Sequence, residues 1–310
     1  MAGAFEPPDV LVLGGGGILG EAWMTALLAG IEQATDWDAR DCEGYVGTSA
    51  GSIVAAALAG RMSASSRVGS MPELPADRPD SHGAVGPGLL GQVLEAGRAA
   101  GLGTAAPLAA LGLRSTAVGG ALARRVALGR VPRGRRSLGG LRAQVDRSGA
   151  AWDGRLLVCA VELESGRRVT FGAPEAPQAT VGQAVEASCA IPGYFRPVEI
   201  GGRSYVDGGA WSPTNMDAAR VRRGGRVLCL NPTGAFRPSR ASPAGALGPL
   251  SRSISAVEAL ALSRRGARVQ TVAPDRETLA AIGGNLMNPA QRGAVTTTGV
   301  SQGRALALGS

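Results

Sequence analysis

The chain has 310 residues, 45% apolar and 18% charged, which is enough apolar material for a sizeable core and too little charge for a disordered protein. All 32 basic residues are arginine and the acids number 24, so the net charge is +8. Glycine (48) and alanine (54) together make up about a third of the chain, without the three-residue glycine period of collagen.

In chain order, the opening MAGAFEPPDV holds two acids and two prolines before any apolar run, unlike a secretory leader. Residues 9–13 (DVLVL) read as a short buried strand ended by four glycines. Apolar residues at three- and four-residue spacing predict a helix from Gly20 to Ala34. Tyr45-Val46 reads as a second strand and Ser49 to Leu58 as a second helix, and this alternation predicts a parallel α/β sheet. Residues 61–150 differ: prolines at 72, 75, 79 and 87 and seven arginines from Arg124 to Arg142 predict a loop and irregular helices inserted between strands. Within them, Ala99 to Ala123 is the nearest approach to a membrane span, but it is poor in bulky residues and interrupted by Arg114. Strands are expected at residues 155–162, 168–171, 203–206 and 226–230, with a helix over Val181 to Ser188. Residues 251–282 read as helix broken at Pro274, and the last ~20 residues as a loose tail.

Cys42, Cys159, Cys189 and Cys229 lie too far apart for a zinc site or a dense disulfide framework, and read as buried thiols of a reducing compartment. The chain is expected to be soluble and cytoplasmic. The single histidine, His82, sits among loop formers, so a mechanism needing a histidine base or a multi-histidine metal site is disfavoured.

Three stretches carry chemistry. Gly14 to Gly20 (GGGGILG) lies between strand and helix, where glycines permit close backbone approach and the helix start offers free N–H groups to an anion. It contains the dinucleotide spacing G-x-G-x-x-G, but so does Gly86 to Gly91, and the second strand ends in Val46-Gly47-Thr48-Ser49 rather than an acid. Dinucleotide binding is therefore rejected. Gly47-Thr48-Ser49-Ala50-Gly51 is a G-x-S-x-G between strand and helix, a turn that lifts a serine hydroxyl to the top of a sheet. Roughly half a match is expected by chance at this glycine content, so its strand-turn-helix context carries the weight. Asp207-Gly208-Gly209 follows a strand and reads either as an ordinary turn or as an acid aimed into a cleft.

Taken in this order, the three stretches resemble the patatin-like phospholipases. The segment ASCAIPGYFRPV (187–198) is similar to the one that precedes the family's aspartate. The family usually has Arg or Lys where Leu19 stands. The resemblance implies a three-layer α/β/α fold with a mostly parallel sheet. It also implies a catalytic domain over 9–231 with 61–150 as a variable cap, followed by a helical extension and tail over 232–310. It further implies a lipid acyl hydrolase in which Ser49 is the nucleophile and Asp207 the general base. Gly15, Gly16 and Gly17 would form the oxyanion hole, Gly20, Gly47, Gly51, Gly208 and Gly209 would shape the turns, and neither cofactor nor metal would be needed. The alternative is a patatin-like domain that binds lipid or a partner without turnover. Residues Arg124 to Arg142 read either as a solvated cap surface or as a patch drawn to the anionic inner face of a membrane. Nucleic-acid binding finds no recognisable module in the sequence.

Overall fold

The computed structural model describes residues 5–70, 118–236 and 247–309. His82, the second glycine spacing at Gly86 to Gly91 and the prolines at 72–87 lie outside the described residues.

Runs of Val and Leu form the centre of the sheet because β-branched and aliphatic side chains suit a surface buried on both faces. Strand β1 (Val10–Leu13) pairs parallel with β2 (Gly44–Thr48) on one side and β7 (Arg226–Leu230) on the other. Strand β2 pairs parallel with β3 (Leu156–Glu162), and β7 with β8 (Arg268–Val272). Three antiparallel strands complete the sheet: β4 (Arg168–Phe171) on β3, and β5 (Val198–Ile200) on β6 (Arg203–Asp207), which also pairs with β3. The order is β5-β6-β3-β2-β1-β7-β8, with β4 beside β3.

Period-two alternation along β1 separates two cores. Leu11 and Leu13 face a large cluster that includes Leu19, Trp23 and Leu27 of α1 (Gly17–Ala34), Val54 of α2 (Ala50–Ala59) and Val185 of α6 (Val181–Ser188). Val10 and Val12 face a smaller one with Met216, Ala219 and Leu262, the last on α7 (Leu247–Arg264). The result is the three-layer α/β/α architecture with a mostly parallel sheet. Short helices α3 (Ala64–Ser70), α4 (Val118–Gly129) and α5 (Gly139–Arg147) lie in the 61–150 stretch.

The C-terminal part departs from expectation in two places. Residues 268–272, read as helix, form β8 and lengthen the sheet beyond β7. The expected loose tail is instead helix α9 (Arg292–Leu308), which follows α8 (Arg276–Ile282) and packs along α1. Glycines permit that contact: a Cβ at Gly303 would lie 2.1 Å from the Leu27 carbonyl oxygen, and one at Gly30 2.2 Å from that of Val300. Trp23 Nε1 donates to Gln302 Oε1 at 2.7 Å across the same interface. Strand β8 thus joins the central sheet, and residues from this part enter both cores: Ile282, Val295 and Ala307 the larger, Leu262 and Ala267 the smaller.

All four cysteines are buried and outside any disulfide. Among the described residues no helix is long and apolar enough to cross a membrane.

Candidate active site

Strand β2 ends at Thr48 and α2 starts at Ala50, so Ser49 alone makes the turn. It adopts φ 51 and ψ −124, a conformation that costs a residue bearing a Cβ about 1–3 kcal/mol. The flanking residues leave no room for side chains: a Cβ at Gly51 would lie 1.9 Å from the Leu13 carbonyl oxygen, and one at Gly47 2.5 Å from the Ser52 Cα. Hydrogen bonds hold the strained residue. Its N–H donates to Ser188 Oγ at 2.9 Å, which in turn donates to the Cys159 carbonyl at 2.7 Å. Its own carbonyl accepts from Ser52 Oγ at 2.6 Å.

Asp207 closes β6, one strand beyond β3, and reaches Ser49 from across the sheet. Its Oδ2 accepts the Ser49 hydroxyl at 2.7 Å and its Oδ1 accepts the Gly209 N–H at 2.7 Å. The two side chains are separated by 158 positions in sequence and both are buried, Ser49 being 8% and Asp207 5% exposed. Burial pushes the Asp207 carboxyl up to about 6, although its bonds to Ser49 and Gly209 pull the other way. Gly208 lies tight under β3, where a Cβ would approach the Cys159 carbonyl oxygen to 2.2 Å.

The glycine loop runs beside the serine: a Cβ at Gly15 would lie 3.4 Å from the Ser49 Cβ. Most of its donors are already engaged. Gly14 N–H bonds to the Leu230 carbonyl (2.9 Å), Gly15 to Pro213 (2.8 Å) and Leu19 to Leu286 (3.0 Å). The N–H groups of Gly16 and Gly17 stand at the first turn of α1, where no intrahelical acceptor precedes them. Of the three glycines expected to offer donors, Gly15 has its N–H engaged by the Pro213 carbonyl. Gly17 takes φ +59, and Gly20 packs against Pro232. Leu19, at the position where a basic residue was expected, is fully buried in the core.

Several residues that support the site gave no signal in the sequence pattern. Asn215, in the left-handed conformation (φ 49), donates through Nδ2 to Thr48 Oγ1 at 3.0 Å, to the Ser212 carbonyl at 2.8 Å and to the Gly208 carbonyl at 3.3 Å. It thus ties the residue before the serine to the residue after the aspartate. Glu258 of α7 accepts from Thr214 Oγ1 (2.6 Å) and Met216 N–H (3.0 Å), and its burial raises its carboxyl above the ordinary range. The one sequence hint was Asn215 itself, since asparagine tolerates the left-handed region better than most residues.

A serine on a strained strand-to-helix turn, a buried aspartate bonded to it and a glycine loop at a helix start thus meet at one place on an α/β/α fold. The sequence pattern of the patatin-like phospholipases matches residues 11–220, and the chain belongs to that family, whose members act on lipid acyl esters. No curated protein matches the chain. Among solved structures it is similar to VipD from Legionella pneumophila, at 15% identity and a TM-score of 0.44, covering 98% of this chain and 67% of that one. It is also similar to the type III effector ExoU, at 16% identity and a TM-score of 0.34, covering 97% of this chain and 54% of that one. A structure of SpcU in complex with ExoU from Pseudomonas aeruginosa matches at 20% identity and a TM-score of 0.35, covering 94% and 52%. The chain thus spans between about half and two thirds of these proteins.

Proposed function

We propose that this protein is a serine esterase that cleaves carboxylic ester bonds of lipids through a Ser49–Asp207 dyad. The observation that carries this reading is the buried 2.7 Å hydrogen bond from Ser49 Oγ to Asp207 Oδ2. Ser49 Oγ attacks the ester carbonyl carbon while its proton passes to Asp207 Oδ2. The carbonyl π pair moves onto oxygen, where the Gly16 and Gly17 N–H groups stabilise it. Losing one such donor typically lowers the rate by about 10²–10³. Collapse of this intermediate breaks the bond to the alcohol, which leaves with the proton held by Asp207. Water then attacks the acyl-enzyme, Asp207 takes its proton, and the fatty acid departs as Ser49 regains the hydrogen.

A carboxyl raised to about 6 suits this work better than an ordinary aspartate, because a base is most effective when its pKa lies near the working pH. The proposed mechanism calls on no histidine; the chain's single one, His82, lies outside the described residues.

The cap helix α4 supports a peripheral contact with an anionic membrane. Its outer face exposes Leu122 (55%) and Val126 (42%) beside the exposed Arg125 and Arg130. Each arginine near an anionic surface contributes about 1 kcal/mol. Arg124 belongs to the opposite, buried face and takes no part in such a contact.

Ser49→Ala tests the reading directly. It should abolish hydrolysis of a short p-nitrophenyl ester while leaving the melting temperature close to that of the parent. A folded variant that keeps more than about a few per cent of the activity would remove Ser49 as nucleophile.

A further inference from the structure

Among the described residues Arg124 is the largest fully buried side chain after Trp23, with 2% of its surface exposed. Buried cations are ordinarily paired, since an uncompensated charge in the interior is strongly destabilising. Among the described residues no carboxylate lies within ion-pair distance of Arg124. Its Nη1 donates to the Gly166 carbonyl at 2.7 Å, and its guanidinium lies 4.0 Å from the centroid of the Trp211 ring. One carbonyl and one ring face do not compensate a full charge, and burial accordingly pulls the group down to about 10. It remains protonated at neutral pH.

The two nitrogens left without partners are Nε and Nη2. Their N–H bonds share one edge of the guanidinium plane, the edge that grips two oxygens of a single phosphate or carboxylate. Arg168 makes the contrast. It lies 5.5 Å from the centroid of the same Trp211 ring, but both its terminal nitrogens are bonded to Asp217. Of the two guanidiniums on that ring, only that of Arg124 has a buried fork without hydrogen-bond partners.

The location ties this fork to the dyad. Trp211 N–H bonds to the Gly208 carbonyl at 2.9 Å, so the ring stands one 3₁₀ turn after Asp207. In a glycerophospholipid the phosphate is only a few bonds from the scissile ester. We propose that Arg124 binds a phosphate group through Nε and Nη2, and that in catalysis this group is the headgroup phosphate of the lipid substrate. The proposal rests on the acyl-hydrolase reading and specifies its substrate class: phosphate-bearing esters are favoured over neutral glycerides.

The experiment has two arms. In the first, kcat/KM is measured for phosphatidylcholine and for a diacylglycerol with the same acyl chains, in the parent, Arg124→Gln and Arg124→Lys. The ratio of the two values cancels any loss of folded protein. It should fall about tenfold or more in Arg124→Gln, mainly through KM, and recover in part in Arg124→Lys, which restores the charge without the fork. An unchanged ratio overturns the proposal whatever the absolute rates. In the second arm, binding of glycerophosphocholine and of inorganic phosphate is followed by calorimetry without any turnover, so it stands even if the protein hydrolyses neither lipid. Glycerophosphocholine binding that weakens about tenfold in Arg124→Gln supports the proposal. Binding of inorganic phosphate alone overturns the headgroup assignment, and binding that is equal in parent and variant, or absent in both, overturns the site.

Discussion

In the proposed dyad, Asp207 sets the pH behaviour of the site. Its carboxyl holds a proton up to about pH 6 in the folded chain against 3.8 for an ordinary aspartate, and only the ionised form can accept the Ser49 proton. Activity should therefore rise with pH through about 6, and an acid limb near 4 in the pH profile of kcat/KM would contradict the burial argument. The same shift has a thermodynamic sign. Between 3.8 and about 6 the folded state binds the proton more tightly than the unfolded state, so this group's contribution to stability falls as pH rises across that window. Asp207→Asn removes that loss while keeping an oxygen for Gly209 and an N–H group for Ser49. The variant should lose a factor of about 10² or more in hydrolysis. Its melting temperature should gain on the parent's as pH increases through the window, as paired thermal scans would show. A melting temperature lowered at neutral pH, with turnover kept, would instead mark Asp207 as a structural turn residue.

At the scale of elements, the dyad is only as well placed as the strands and loops that carry it. Asn215 links the ends of β2 and β6 through Thr48 and Gly208. Glycine is the informative replacement because it accepts the positive φ of this position while deleting the donors. Asn215→Gly should lower kcat about tenfold with little change in KM, and an unchanged kcat among folded molecules would argue for a purely structural role. Serine and aspartate were legible in the sequence because each stands in a short local pattern at a strand end. The engagement of the Gly15 N–H was not, since it depends on the carbonyl of Pro213, almost two hundred positions away. Helix α9 was unreadable for a related reason. Its glycines and three consecutive threonines are poor helix formers, and its stability comes from packing on α1. Gly303→Leu should accordingly lower the melting temperature by several degrees, because the side chain would collide with the Leu27 backbone. An unchanged melting curve would contradict that packing.

For the molecule as a whole, the segment beyond the family match packs against the glycine loop. Leu230, Pro232 and Leu286 all touch the glycine loop, through the carbonyls that receive Gly14 and Leu19 and the ring that abuts Gly16 and Gly20. The sequence conveyed the α/β order of the first part but not strand β8, because it lies in a stretch whose short apolar spacing also fits a helix. Charge acts at this scale too. With a net charge of +8, exposed Arg125 on α4 and exposed Arg130 just past its end, the protein should sediment with vesicles containing phosphatidylserine and be released by high salt. Replacing Arg125 and Arg130 with glutamine should weaken that binding. Equal binding to neutral phosphatidylcholine vesicles would contradict the electrostatic account.

The central claim is that Ser49 is activated by Asp207, and covalent labelling tests it most directly. The parent protein, treated with a fluorophosphonate and analysed by peptide mass spectrometry, should carry one adduct, on Ser49, formed at a rate that rises with pH through about 6. Asp207→Asn should label far more slowly. No adduct on a folded parent, or an adduct on another residue, would contradict the account.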